Sequence, residues 1–221
     1  MPPVVKVCCI QDEAELRLAA GAGARFVGLV SAMPSGPGPI PDGHIRRLAA
    51  VAPAGVTPVL LTARADEAGI VDHVRDTGVR GVQLVRAVPE EVRRRVRAAL
   101  PGVTVIQVVH VEGPASVAEA LSAAEGADHL LLDSGRPGAS VPELGGTGRT
   151  HDWGVSAEIV RRAPVPVLLA GGLGPDNVAG AVKTVRPWGV DVCSGLRDGS
   201  GRLVSGRVEA FFAAVQPVDG V

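Results

Sequence analysis

Eight short runs rich in Val, Leu and Ile alternate with eight stretches of helical period along this chain. That alternation constrains the fold more than any single residue does. The expected strands are Val4–Ile10, Phe26–Val30, Val56–Leu61, Gly81–Leu84, Val103–Val109, His129–Asp133, Val165–Ala170 and Val190–Ser194. The expected helices are Asp12–Ala22, Asp42–Ala52, Asp66–Thr77, Pro89–Leu100, Ser116–Glu125, Gly154–Arg162, Pro175–Val185 and Val204–Val215. Strand and helix in strict alternation make a parallel sheet with crossover helices. Eight such units in 221 residues, with no glycine fingerprint after the first strand, favour an α/β (β/α)8 TIM barrel over an open doubly wound sheet. No linker, charge run or composition break divides the chain, so residues 1–221 read as one barrel domain.

Hydrophobic residues make up 46% of the chain and aromatics 2%, with no Tyr, so the core must be aliphatic. Strands buried on both faces read as such continuous Val/Leu/Ile runs. A net charge of −1 and few aromatic platforms argue against nucleic acid or an anionic membrane as partner. No apolar stretch approaches the ~20 residues that span a bilayer. Met1–Lys6 lacks the features of a signal peptide, so a cytoplasmic protein is expected. Three cysteines do not form a disulfide framework. Either a monomer or a homodimer fits.

In barrels of this kind the chemistry sits where the strands end and their loops begin. Gly171-Gly172 ends strand 7, and Ser194-Gly195 ends strand 8. Two glycine turns at consecutive strand ends let backbone N–H groups approach an anion, which marks a phosphate site. Gly145-Gly146-Thr147 lies in the long loop after strand 6 and suits a cover over a substrate. Asp133 ends the Leu130-Leu131-Leu132 run, where a buried carboxylate is costly unless partnered or used. Cys8 shares a strand face with Lys6 and is expected to point into the barrel, with Cys9 packing outward. A thiolate there can act as a general base, although a cysteine in a strand is commonly only a small hydrophobe. His110 and His151 lie near the same face but lack metal-ligand spacing, so no metal site is expected. His44, His73 and His129 read as structural.

Taken together, these motifs resemble the phosphoribosylanthranilate isomerase family, barrels of tryptophan biosynthesis. The likeness runs from Val5 to about Phe211. It is carried by Val5-Lys6-Val7-Cys8, Leu131-Leu132-Asp133-Ser134, Gly145-Gly146-Thr147-Gly148-Arg149-Thr150 with Asp152-Trp153, Leu169-Ala170-Gly171-Gly172-Leu173, and Gly189-Val190-Asp191-Val192-Cys193-Ser194-Gly195. The resemblance implies a cofactor-free Amadori rearrangement of an N-(5-phosphoribosyl) arylamine, a small phosphorylated sugar amine, to a 1-amino-1-deoxyribulose 5-phosphate. It implies Asp133 as general acid, Cys8 as general base, and Gly171, Gly172, Ser194 and Gly195 around the phosphate.

The departures fall on the amine side. The family usually carries Lys-Ile-Cys-Gly at strand 1, and here Cys9 replaces the glycine. The Ser-x-Arg segment after strand 2, whose Arg meets the anthranilate carboxylate, becomes Ser35-Gly36-Pro37. Gln-Leu-His-Gly after strand 4 becomes Gln83-Leu84-Val85-Arg86, and Ser-Gly-Val-Glu after strand 8 becomes Ser194-Gly195-Leu196-Arg197. Either the chain is a paralogue acting on another amine, as in specialised metabolism, or Arg86 or Arg197 supplies the missing cation. A non-catalytic barrel that binds a sugar phosphate is the alternative from another class, but it gives Cys8 and Asp133 no task. Schiff-base aldol chemistry needs a lysine near the reacting carbon, and Lys6 and Lys183 are poorly placed for it.

Overall fold

The computed structural model of the chain describes residues 2–33, 38–135 and 151–216. Eight parallel strands close into a barrel in chain order: β1 (Val4–Val7), β2 (Phe26–Val30), β3 (Thr57–Thr62), β4 (Gly81–Leu84), β5 (Thr104–His110), β6 (His129–Asp133), β7 (Val167–Leu169) and β8 (Gly189–Val192). Closure comes from β1 pairing with β8, from Val4 opposite Gly189 to Val7 opposite Val192. The helices α1 (Glu13–Ala22), α2 (Asp42–Val51), α3 (Glu67–Thr77), α4 (Glu90–Ala99), α5 (Ser116–Ala124), α6 (Trp153–Arg162), α7 (Val178–Val185) and α8 (Ser205–Val215) follow their strands in turn. Among the described residues no helix is long and apolar enough to cross a membrane.

Strand alternation sorts the side chains into two cores. Val27, Leu29, Leu60, Val105, Val109, Leu130 and Leu132 point outward into the layer shared with the helices. Phe26, Val59, Ile106, Val108, Leu131, Leu168 and Ala170 point inward and fill the lower barrel. Each side chain of this size contributes roughly 1.5–3 kcal/mol when fully buried. The lower barrel is therefore a packed, largely apolar body.

Helix ends carry the chemistry their orphan backbone groups require. Asp12 accepts the Glu15 N–H at 2.9 Å to start α1, and Asp66 accepts the Gly69 N–H at 2.8 Å to start α3. Gly23 (φ 104°) and Gly78 (φ 67°) stop α1 and α3 in the left-handed region.

Three expected strands are too long. β7 covers only Val167–Leu169 of the expected Val165–Ala170, since Pro166 has no backbone N–H to offer the ladder. β1 ends at Val7 because Cys9 takes φ 63°, a left-handed turn that breaks the extended run. β8 ends at Val192, since Ser194–Leu196 coil into one turn of 3-10 helix.

Candidate active site

Cys8 continues the β1 ladder by one bond, its N–H donating to the Val192 carbonyl at 2.8 Å. Its sulfur leans over β2 at Gly28, where an added Cβ would lie 2.8 Å from the Cys8 Sγ. The missing side chain at Gly28 is what gives the thiol room on the inner face. Cys8 is 5% exposed and shares an apolar upper layer with Val30, Leu61 and Val85.

Below it lies Lys6, wholly buried, with its Nζ 2.9 Å from Asp191 Oδ1 on the neighbouring strand. Burial works against the ammonium, but Asp191 and the adjoining Cys8 outweigh it and hold Lys6 above its ordinary range. The pair acts on both groups singled out in the sequence. A hydrogen bond from the Cys9 thiol pulls the Cys8 thiol down, burial pushes it up, and Lys6 pulls it down again, leaving it below the usual thiol range. Burial pushes Asp133 above the usual carboxylate range, against the opposing pull of the Ser134 N–H, donated to Oδ1 at 2.7 Å, and of His110 and Lys6.

Asp133 occupies the end of β6, on the same inner face as Leu131 and opposite His110 of β5. Cys8 and Asp133 thus stand at the upper ends of non-adjacent strands, and the Lys6–Asp191 pair acts on both. A thiol moved down and a carboxyl group moved up from their ordinary ranges are a combination suited to acid–base chemistry.

Beside these strand ends the turns after β7 and β8 meet. Gly171 (φ 85°) and Gly172 (φ 63°) both sit in the left-handed region. Gly172, Leu173, Gly174, Asn177, Ser194 and Gly195 are among the residues lining an open cavity of about 550 Å³, with Arg207 at its edge. Gly171 is not part of that lining; it packs instead toward Ser134 and His151. Asn177 braces the cradle, accepting the Gly174 N–H and donating to the Gly172 carbonyl, each at 2.9 Å. A Cβ at Gly195 would lie 2.1 Å from the Leu173 carbonyl oxygen, so the two turns touch through backbone. Gly195→Ala should therefore force the turns apart and cost of the order of 1–3 kcal/mol, read as a lowered Tm with weaker binding of inorganic phosphate.

Two expectations require correction. Cys9 does not pack outward. Its left-handed backbone turns the side chain into the upper layer with Cys8, and the Cys193 thiol donates to its sulfur at 2.7 Å. Arg197 does not present a cation to an amine. Buried, it pairs with Glu15 at 3.0 Å and donates to the carbonyls of Cys8 (3.2 Å) and Cys9 (2.5 Å), pinning the turn that follows β1. Arg86, by contrast, is exposed just beyond β4. Gly145, Gly146, Thr147 and the Ser35-Gly36-Pro37 stretch lie outside the described residues.

Asp191, Asn177 and His110 carry weight in this site without having been singled out for it from the sequence. The available signals were weak: a charged residue inside each of two apolar strands for Lys6 and Asp191, and a histidine closing a strand for His110. Arg64, exposed beyond β3, lines a smaller cavity of about 280 Å³ with Ser31, Thr62 and His73.

Comparison with known proteins gives the family of the chain. Residues 5–214 match the family model described as N-(5'phosphoribosyl)anthranilate (PRA) isomerase. This chain belongs to the phosphoribosylanthranilate isomerase family. An N-(5'-phosphoribosyl)anthranilate isomerase from Haloferax volcanii is 38% identical, over 98% of this chain and 94% of that protein. One from Halobacterium salinarum is 39% identical over 95% and 94%. Among solved structures, the phosphoribosylanthranilate isomerase of Thermotoga maritima superposes with a TM-score of 0.82 at 29% identity, covering 96% of this chain and 98% of the other. A further phosphoribosylanthranilate isomerase structure, with a TM-score of 0.80 at 26% identity, holds reduced 1-(o-carboxyphenylamino)-1-deoxyribulose 5-phosphate; 96% of this chain and 98% of that one are covered. The family assignment and the closed barrel agree with the expectations from the sequence.

Proposed function

We propose that this chain catalyses the Amadori rearrangement of N-(5'-phosphoribosyl)anthranilate, with Asp133 as general acid and Cys8 as general base. The observation that carries the proposal is the placement of Cys8 and Asp133 at the upper ends of two barrel strands around the buried Lys6–Asp191 pair, with the thiol moved down and the carboxyl group moved up. The Asp133 carboxyl group donates its proton to the ribose ring oxygen, the C1–O bond breaks, and the nitrogen lone pair forms an iminium. The Cys8 thiolate then takes the C2 proton, and those electrons move to make an enolamine and neutralise the nitrogen. Tautomerisation gives the ketone, and proton return from sulfur to Asp133 restores the resting pair. No cofactor is needed. Gly172, Ser194 and Gly195, with Gly171 shaping the turn, would hold the phosphate and fix the flexible sugar for both proton transfers.

Of the two accounts of the missing arginine after β2, the one that keeps anthranilate has more support. Relatives named for that substrate reach 38% and 39% identity over nearly the whole chain. Arg86 and Arg64 remain exposed beyond β4 and β3, where either can meet a carboxylate. Assay on phosphoribosylanthranilate decides the matter: efficient turnover is expected, and turnover confined to another phosphoribosylated amine would overturn the choice of anthranilate.

The same tuning sets a pH profile. The reaction as written uses Cys8 deprotonated and Asp133 protonated, so kcat/KM passes through a maximum and falls on either side of it. A bell is the expected result, and a profile flat across both limbs would contradict the assignment.

A further inference from the structure

His110 closes β5 directly opposite Asp133 in the register. On this strand Ile106 and Val108 point into the barrel, and Val105 and Val109 point out to the helices, so the two-residue period sets His110 on the inner face. The side chain is 8% exposed, and neither Nδ1 nor Nε2 has a hydrogen-bond partner. Among the described residues His129 and His151 also leave Nδ1 without a partner, but His110 is the histidine for which both ring nitrogens lack one, and the rings of His73, His151 and His129 each have another contact. His73 bonds Thr62 and Asp42, His151 bonds Ser156, and His129 stacks between Phe26 and Trp188 at the barrel floor.

A neutral imidazole carries one donor and one acceptor, and leaving either buried and unpaired costs about 1–3 kcal/mol. A protein that only needed to fill this position would do better with leucine. An orphaned polar ring beside the candidate acid, at the end of a strand where the substrate must sit, has its partner in the substrate. We propose that His110 is a substrate-contacting residue that hydrogen-bonds a ribosyl oxygen next to Asp133 and holds the sugar for proton transfer. The assignment rests on the reading of this end of the barrel as the substrate site, and it adds a third side chain from a third strand.

The test uses the reduced 1-(o-carboxyphenylamino)-1-deoxyribulose 5-phosphate as probe, so that it does not depend on turnover. In wild type, the ¹⁵N resonances of the His110 ring should shift when the analogue binds. His110→Leu removes both polar atoms but keeps an apolar body. It should leave Tm unchanged or raised, weaken the analogue by about tenfold or more, and lower kcat/KM accordingly. His110→Asn, which restores a donor, should recover part of the loss. Ring resonances indifferent to the analogue, or undiminished affinity in the leucine variant, would overturn the proposal. If the leucine variant fails to fold, the wild-type resonances and the asparagine variant decide. Should Cys8 and Asp133 prove dispensable for turnover while these shifts persist, the catalytic reading falls and the contact stands.

Discussion

Cys8→Ser is expected to lower kcat on phosphoribosylanthranilate by about 10²–10⁴-fold while leaving the binding of a product analogue intact, because general-base catalysis contributes on that scale. Serine keeps the size of the side chain and loses only the ability to ionise near neutrality. Asp133→Asn should do comparable damage from β6, since an amide cannot give up a proton to a ring oxygen. Steady-state kinetics beside calorimetric titration of the analogue separate this from a folding defect. The two losses should be strongly non-additive, because the double variant has little more to lose once one proton transfer is blocked. Wild-type turnover in both single variants would sink the acid–base pair.

The largest effect on stability is expected at Lys6. Its ammonium is fully buried against Asp191, so Lys6→Met strands a carboxylate in the barrel interior. Removing one partner of such a pair costs about 3–5 kcal/mol, which for a chain of this size is a drop of roughly 10 °C in Tm. Replacing both, as in Lys6→Met with Asp191→Leu, should recover much of that loss, since well-packed apolar pairs rival buried ion pairs. Activity should not recover with it. Lys6 pulls the Cys8 thiol down and Asp191 pushes it up, so the pH profile should shift most in Lys6→Met and less in the double variant. A double variant that regains stability while its profile stays displaced would separate the two tasks of one residue. Equal Tm in Lys6→Met and wild type would remove the pair's structural role.

The barrel was legible because each stave announces itself. Phe26–Val30, Gly81–Leu84 and His129–Asp133 have the same bounds in sequence and structure, being short apolar runs cut off by Gly, Asp or a polar turn. The position of Cys8, Asp133 and the glycine turns at one face was legible because the expected strand ends lie there. Where a strand ends by conformation rather than composition, the pattern failed. Nothing in Val-Cys-Cys-Ile signals that Cys9 adopts a left-handed backbone, the conformation that suits the glycine the family usually carries there. Pairings across the whole chain were also out of reach. Lys6 finds Asp191 185 residues away, and Arg197 finds Glu15 at a separation of 182, with no local signal linking either couple. Arg197 illustrates the consequence, since a cation beside a binding loop reads as a ligand contact until its buried partner is known.

The seam between β1 and β8 also dictates when this protein can begin to work. A growing polypeptide carries its first stave out of the ribosome and must keep one margin of it unsatisfied until almost everything else has been made. Bringing such remote segments together is slow and leaves adhesive backbone uncovered meanwhile. The thiol waits on the first stave, while the groups that anchor and charge its surroundings, Asp191 and Arg197, arrive with the last. On the proposed assignment of Cys8, competence is thus conferred in a single late event, and a nascent fragment truncated before residue 190 would own a sulfur without the charges that surround it.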